Sequence, residues 1–234
     1  MAAAACYPSR APGQDTNSSV ERKPKRRTRE RILETSLRLF NDFGEPNVTT
    51  TAIADEMNIS PGNLYYHFRS KDEIVNTLFG EFEREVEGVL AAPAARGANV
   101  EDIWLFLHVL FEAIWRYRFL YRDLDDLLSR NRLLELHVKR LLEQKVRTAA
   151  ALCEALVAGG EMRATRTEIP ALATNMVVVT TYWLSFEYVR DPRHPQEGTT
   201  LARGAYQVMA LVAPFLVGKS RALFERLAAS YVSA

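Results

Sequence analysis

The stretch at residues 49–71, TTTAIADEMNISPGNLYYHFRSK, decides how this chain is read. It breaks into two short helices around a tight turn, with a third helix opening at Lys71. Thr49 and Thr50 offer the short hydroxyl side chain that caps a helix N-terminus. Ile53, Ala54 and Met57 form a brief apolar stripe, and Ala54 is small enough for another helix to cross closely. Asn58 tolerates the left-handed backbone of a sharp turn, and Ile59 plugs the angle between the helices. Ser60 caps the next helix, and Pro61 takes its first position, where a missing N–H costs nothing. Leu64 and Phe68 anchor this helix to a core, which leaves Asn63, Tyr65, Tyr66 and His67 projecting mostly outward. Gly62 removes a side chain where the backbone can approach a ligand. About seven or eight residues at 1.5 Å each make a rod of roughly 11 Å, which suits a DNA major groove.

The flanks extend this pattern. Thr28 can cap a helix whose Ile32, Leu33, Ser36, Leu37, Phe40 and Phe43 share one face. Gly44 and Pro46 stop it, and Val48 is expected to tuck beneath. After the motif, Ser70 caps a helix that runs through Ile74, Leu78, Phe82 and Val86 to about Leu90. Lys71 in its first turn opposes the helix dipole; a nearby phosphate would explain it. Beyond a loop at 91–98, periodicity gives helices at 100–117, 119–129, 133–158, 169–189, 201–217 and 219–232. Pro214 is expected to kink or shorten the penultimate one. Residues 176–182, MVVVTTY, have strand propensity, but the apolar stretch around them is too long for a strand. The fold class is therefore all-α. A disordered basic extension (1–24) precedes a three-helix helix-turn-helix domain (25–72, motif at 49–68) and a larger helical domain (73–234).

Composition narrows the function. The 234 residues are 47% apolar and 25% charged, with a net charge of +1, so the chain as a whole is not a polycation. Charge is concentrated instead: residues 21–31 hold seven Lys or Arg against two Glu. Such a block is either a solvated tail or a phosphate contact. Cys6 and Cys153 stand at no metal-ligand spacing, and their number fits a reducing, cytoplasmic setting. The alanine-rich start has no basic n-region and does not read as a signal peptide. The apolar stretch 169–189 is broken by Asn175, several Thr, Ser185 and Glu187, which argues against a membrane span. There is no P-loop, no G-x-S-x-G and no convergent acid–base set, so no catalytic residue, metal or cofactor is expected.

The helix ending in Phe43-Gly44, followed by Thr49-Thr50, Ile53-Ala54, Ile59-Ser60, Gly62, Leu64-Tyr65, His67-Phe68 and Lys71, resembles the DNA-binding domain of TetR-family transcriptional regulators. The resemblance covers about residues 28–78. It implies a homodimer on a near-palindromic operator in double-stranded DNA, with phosphate contacts from Thr50, Tyr66, His67 and Lys71. Base or groove contacts would come from Ser60, Pro61, Gly62, Asn63 and Tyr65. The chemistry agrees: Asn63 can pair with adenine and Tyr65 can press on a thymine methyl. For Tyr65, Tyr66 and His67, internal packing is the other reading. The basic block could supply a minor-groove arm.

The rest of the chain resembles the family only in helix number and length. Trp104, His108, Phe111 and Trp115 form an aromatic stripe that is either core or, together with Asn175 and Tyr182, the lining of a pocket for an unknown small-molecule effector. Residues 169–189 are apolar nearly all round, and 201–217 carry the small residues Ala202, Gly204, Ala205 and Ala210. The resemblance makes this pair the dimer interface; burial within one subunit is the alternative. The function expected is a repressor released by its effector. An effector-independent regulator or an activator would share the same DNA-binding part, and an α-helical enzyme with an accessory helix-turn-helix is the remaining class.

Overall fold

The computed structural model describes residues 23–91, 99–192 and 197–232. Its helices in chain order are α1 (Lys23–Phe43), α2 (Thr50–Glu56), α3 (Pro61–His67), α4 (Lys71–Ala91), α5 (Val100–Arg116), α6 (Arg118–Arg122), α7 (Leu124–Arg130), α8 (Arg132–Ala158), α9 (Glu168–Arg190), α10 (Glu197–Val212) and α11 (Gly218–Val232). Short 3-10 turns occupy Glu45–Asn47 and Ala213–Phe215. Among the described residues, β pairing is limited to one antiparallel bridge between Met162 and Leu216. The expected extension at 1–24 lies outside the described residues apart from Lys23 and Pro24.

The differences from expectation have local causes. The first helix begins at Lys23, so Thr28 lies inside it rather than capping it. Lys, Arg and Glu are good helix formers, and a proline in the first turn is tolerated; residues 23–31 of the basic block are thus helical. The segment 119–129 divides at Asp123, whose φ of −104° and ψ of 20° leave the helical region. Pro214 shortens α10, which ends at Val212 before the 3-10 turn. The MVVVTTY segment lies within α9 and is helical.

Two packed regions share α4. In the first, Ile32 and Phe40 of α1, Ile53 and Ala54 of α2, Leu64 of α3 and Phe68 are buried together. Further along α4, Phe79, Phe82 and Val86 enter the core built by α5, α8, α9 and α10. At the centre of this second core the backbone of Gly204 meets two aromatic rings. A Cβ there would lie 2.7 Å from Phe111 Cε1 and 2.7 Å from Trp183 Cδ1. Gly204 and Ala205 are buried inside the subunit at the α5–α9–α10 crossing, while Ala202 and Ala210 are half-buried. Trp183 is fixed further by its indole N–H, which donates to the Thr200 carbonyl at 2.9 Å.

The junction between the two regions is polar. Glu45, in the turn after α1, is fully buried. Its carboxylate pairs with Lys71 at 3.1 Å and with Arg130 of α7. Its backbone N–H donates to Asp123 Oδ2 at 2.9 Å. Arg122 donates to the carbonyl of Phe40 at 2.7 Å, and the Asn41 side chain bridges the Arg116 carbonyl and the Phe119 N–H. Gly44 makes room for this: its φ is +88°, and a Cβ would stand 3.2 Å from the Arg122 guanidinium.

One charge sits on a buried face with no opposite charge beside it. Lys145 occupies the apolar stripe of α8, 4% exposed, and donates to the Tyr121 hydroxyl at 2.9 Å. Burial pulls its pKa from 10.5 down to about 7. Between those two values the unfolded chain binds more protons than the folded one, so this group makes stability rise with pH. Its cost is full below about pH 7 and fades towards 10.5.

Two outcomes are expected. Gly204→Ala destabilises by about 1–3 kcal/mol through overpacking, seen as a lowered thermal midpoint. In denaturant titrations, the stability difference between wild type and Lys145→Met moves towards the wild type by up to about 1.4 kcal/mol for each pH unit from 7 to 9. A difference that stayed flat across that range would contradict the assignment.

Candidate nucleic-acid interface

The helix pair α2–α3 is built by its ends. Thr49 Oγ1 accepts from the Ala52 N–H at 3.1 Å and Ser60 Oγ from the Asn63 N–H at 3.2 Å. Each such cap contributes about 1 kcal/mol. Between them Asn58 adopts φ 54°, and its N–H bonds to the Asp55 carbonyl, closing the turn. Leu64 and Phe68 are wholly buried and fix the inner side of α3. The Arg29 guanidinium of α1 lies 4.5 Å from the centre of the Phe68 ring, and Arg38 of α1 pairs with Glu56 of α2. Part of the basic block therefore braces the motif.

The other side of α3 faces solvent. Ser60, Pro61, Gly62, Asn63, Tyr65 and Tyr66 are exposed, while Thr50, His67 and Lys71 are half-buried. Tyr66, at 66% exposure, stands edge-on to His67 at 5.3 Å. The Thr50 and Tyr65 hydroxyls are 2.9 Å apart and bonded, which couples the start of α2 to the middle of α3. These residues thus share one protein face, made of hydroxyl, amide and imidazole groups on a short, capped helix.

Lys71 is differently engaged. Its ammonium donates to the carbonyls of Glu45 at 3.0 Å and Val48 at 3.1 Å, besides pairing with the Glu45 carboxylate. The reason for a lysine at the start of α4 is therefore internal: it ties the end of the 3-10 turn to the helix that follows.

The six residues read as an effector pocket do not converge. Trp104 stacks on His108 at 5.8 Å and meets Phe224 of α11 at 6.4 Å, so this pair seals α11 onto α5. Phe111 fills the notch at Gly204. Trp115 lies beneath the Arg118 guanidinium, in an open hollow beside α1. Asn175 and Tyr182 are exposed on α9. The reason is rotational: on α9 their positions fall on the side away from α8 and α10, and the aromatic stripe of α5 is consumed by packing. Glu187 is buried and paired with Arg190 and Arg203.

What sequence reading passed over is Lys145 with Tyr121 and Thr181. They line a cavity of about 20 Å³ with Phe79, Phe82 and Val138. The signal was present: Leu134, Val138, Leu141, Lys145, Ala149 and Leu152 repeat at three- and four-residue steps on α8, and all are buried.

Comparison with known proteins agrees with this architecture. The profile described as "Bacterial regulatory proteins, tetR family" matches residues 32–78, and TetR, "Bacterial transcriptional repressor", matches residues 81–224, more than half of the chain. A solved TetR-family transcriptional regulator from Marinobacter aquaeolei VT8 is 35% identical, with a TM-score of 0.78 over 88% of this chain and 98% of that one. The HTH-type transcriptional regulator HbdR of Aromatoleum sp. (strain CIB) is 28% identical over 147 residues, 58% of this chain and 60% of HbdR. The HTH-type transcriptional regulator UidR of Escherichia coli (strain K12) is 31% identical over 81 residues, 31% of this chain and 40% of UidR. The matched parts thus span less than two thirds of either curated relative. With a capped helix-turn-helix at one end and both profiles matched in order along the sequence, the chain belongs to the TetR family and is a DNA-binding transcriptional regulator.

Proposed function

We propose that the chain acts in the cytoplasm as a homodimeric repressor that a small molecule releases from a near-palindromic operator. The observation that carries the DNA part is the α3 face. A short helix capped by Ser60 turns Asn63, Tyr65 and Tyr66 to solvent while Leu64 and Phe68 hold its back. Asn63 reads an adenine edge, and Gly62 and Pro61 let the groove floor approach. The bonded Thr50–Tyr65 hydroxyls, Tyr66 and His67 take phosphate oxygens, which set register rather than sequence. Lys71 contributes through position: it holds the α4 start against the 3-10 turn, so the motif keeps its angle.

The dimer part rests on α9. That helix is long and apolar enough by composition to cross a membrane, yet half of its apolar window is buried in the protein. Its remaining side exposes Val178, Tyr182, Phe186 and Val189, steps of three and four that share one stripe. A stripe of that length and character is ordinarily covered, and a second α9 related by a two-fold axis covers it. Two subunits so joined set their α3 helices for half-sites about one DNA turn apart, roughly 34–36 Å. An effector that prefers a conformer with another spacing weakens binding by its differential affinity for the two states.

Selection of duplexes from a random library with the purified protein should enrich a near-palindromic motif. Fluorescence anisotropy on that duplex should give a nanomolar Kd that weakens steeply with salt. Asn63→Ala should relax base preference at one position per half-site, costing about 1–3 kcal/mol. Tyr66→Ala should weaken all sequences alike. Failure to enrich any motif would overturn the reading. Separately, Tyr182→Glu with Phe186→Glu should convert the protein to a monomer in sedimentation velocity and reduce duplex affinity by at least about tenfold; an unchanged dimer would place the interface elsewhere.

A further inference from the structure

Lys145 stands where two apolar cavities meet. One, about 20 Å³, is walled by Phe79, Phe82, Tyr121, Val138 and Thr181. The other, also about 20 Å³, is walled by Leu90, Phe106, Leu107, Met176 and Val208. Each holds about one water-sized body, and Lys145 lines both. An amine of this kind has more N–H groups than the Tyr121 hydroxyl can absorb, and that hydroxyl is its one hydrogen-bond partner among the described residues. Thr181, 3% exposed, lines the first cavity, and its Oγ1 has no hydrogen-bond partner among the described residues. Thr180 also lines the second cavity, its hydroxyl donating to the Val177 carbonyl at 3.1 Å; the rest of the lining is hydrocarbon, so that α4, α5, α7, α9 and α10 bring no charged group to either cavity, and α6 brings only the Tyr121 hydroxyl. An uncompensated cation in such surroundings is most relieved by an anion.

We propose that the effector of this regulator carries a carboxylate head that seats on Lys145 and Thr181, and an apolar tail that enters the hydrocarbon walls on either side. This rests on the reading that the protein answers to a small molecule. The carboxylate accepts from both Lys145 and Thr181, the two polar groups that the surrounding side chains leave short of partners. The cavities are too small for the tail, so the ligand enters by displacing side chains, and Tyr121 is the polar one in its way. Tyr121 belongs to α6, a helix of five residues. On the same helix Phe119 packs against Phe40 of α1 at 5.2 Å between ring centres, and Arg122 donates to the Phe40 carbonyl at 2.7 Å. Displacement of α6 therefore reaches α1, which braces the DNA-binding helices. Because Lys145 holds its proton only up to about pH 7 when no anion is present, the carboxylate must draw a proton in at higher pH, and its affinity falls as pH rises above 7.

The test uses the full chain and three acid–alcohol pairs: octanoate with octan-1-ol, 3-phenylpropanoate with 3-phenylpropan-1-ol, and 2-naphthoate with 2-naphthylmethanol. Binding is read by isothermal titration and by release of the enriched duplex. At least one acid should bind at least about tenfold tighter than its alcohol, weaken from pH 7 to 9 while the alcohol does not, and release the duplex. Lys145→Met should remove the acid's advantage and leave the alcohol within about threefold; the wild-type acid–alcohol comparison stands even if that variant fails to fold. Acids that bind no better than alcohols, or that do not bind at all, overturn the proposal. The ligand-responsive reading fails separately, if a library of neutral and cationic compounds also leaves the duplex bound.

Discussion

The burial of one carboxylate governs how this molecule is put together. Glu45 lies at zero exposure between the DNA-binding helices and the larger core. An ionised carboxylate out of water is costly unless charge and hydrogen bonds surround it. Lys71 and Arg130 supply the charge from opposite sides, one from the start of α4 and one from α7. The pairing is directional, so the turn after α1 has one seat against α7 and α4, and the angle between the two regions follows. Apolar contact alone, such as Phe40 on Phe119, would tolerate sliding; two cations closed on one buried carboxylate do not.

This arrangement also explains why so short a recognition helix is well placed. A seven-residue helix has little stability of its own. It persists because Ser60 accepts from one of its loose N–H groups, because Asn58 makes the turn, and because Leu64 and Phe68 are buried beneath it. The lysine that opens the next helix then closes the circle by binding the carbonyls of Glu45 and Val48. Local capping, apolar anchoring and the polar junction thus constrain the same few residues from three sides.

How much of this was legible in sequence depended on the range of the interaction involved. Caps, the Asn58 turn, the Pro61 start and the all-helical class are local and were read from neighbouring residues. The boundary at Lys23 was missed because Thr28 is a good cap in isolation, and the sequence does not show that the helix has already begun. In the sequence Lys71 points only to phosphate, because the carbonyls it also binds, those of Glu45 and Val48, lie more than twenty positions away. Asn175 and Tyr182 were placed in a pocket because a helix that is apolar all round does not reveal which side turns inward. The α8 stripe is different: its spacing shows which side turns inward, and Lys145 stands in it between Leu141 and Ala149. For Asn63, Tyr65 and Tyr66, exposure on a braced helix supports the DNA-facing role that the motif implied.

The short helix α6 has a consequence in the time domain. Five residues close barely one turn, so α6 owes its shape to its neighbours rather than to its own hydrogen bonds. Its Phe119, Leu120 and Tyr121 are buried, so it opens only as far as the surrounding elements release it. How long the core and the DNA-binding helices stay clasped through α6 is consequently set by side chains from α1, α8 and α9 rather than by its own sequence. Small changes in those flanking residues would alter how long the two ends of the molecule remain in register, while leaving the average structure of each end as it is.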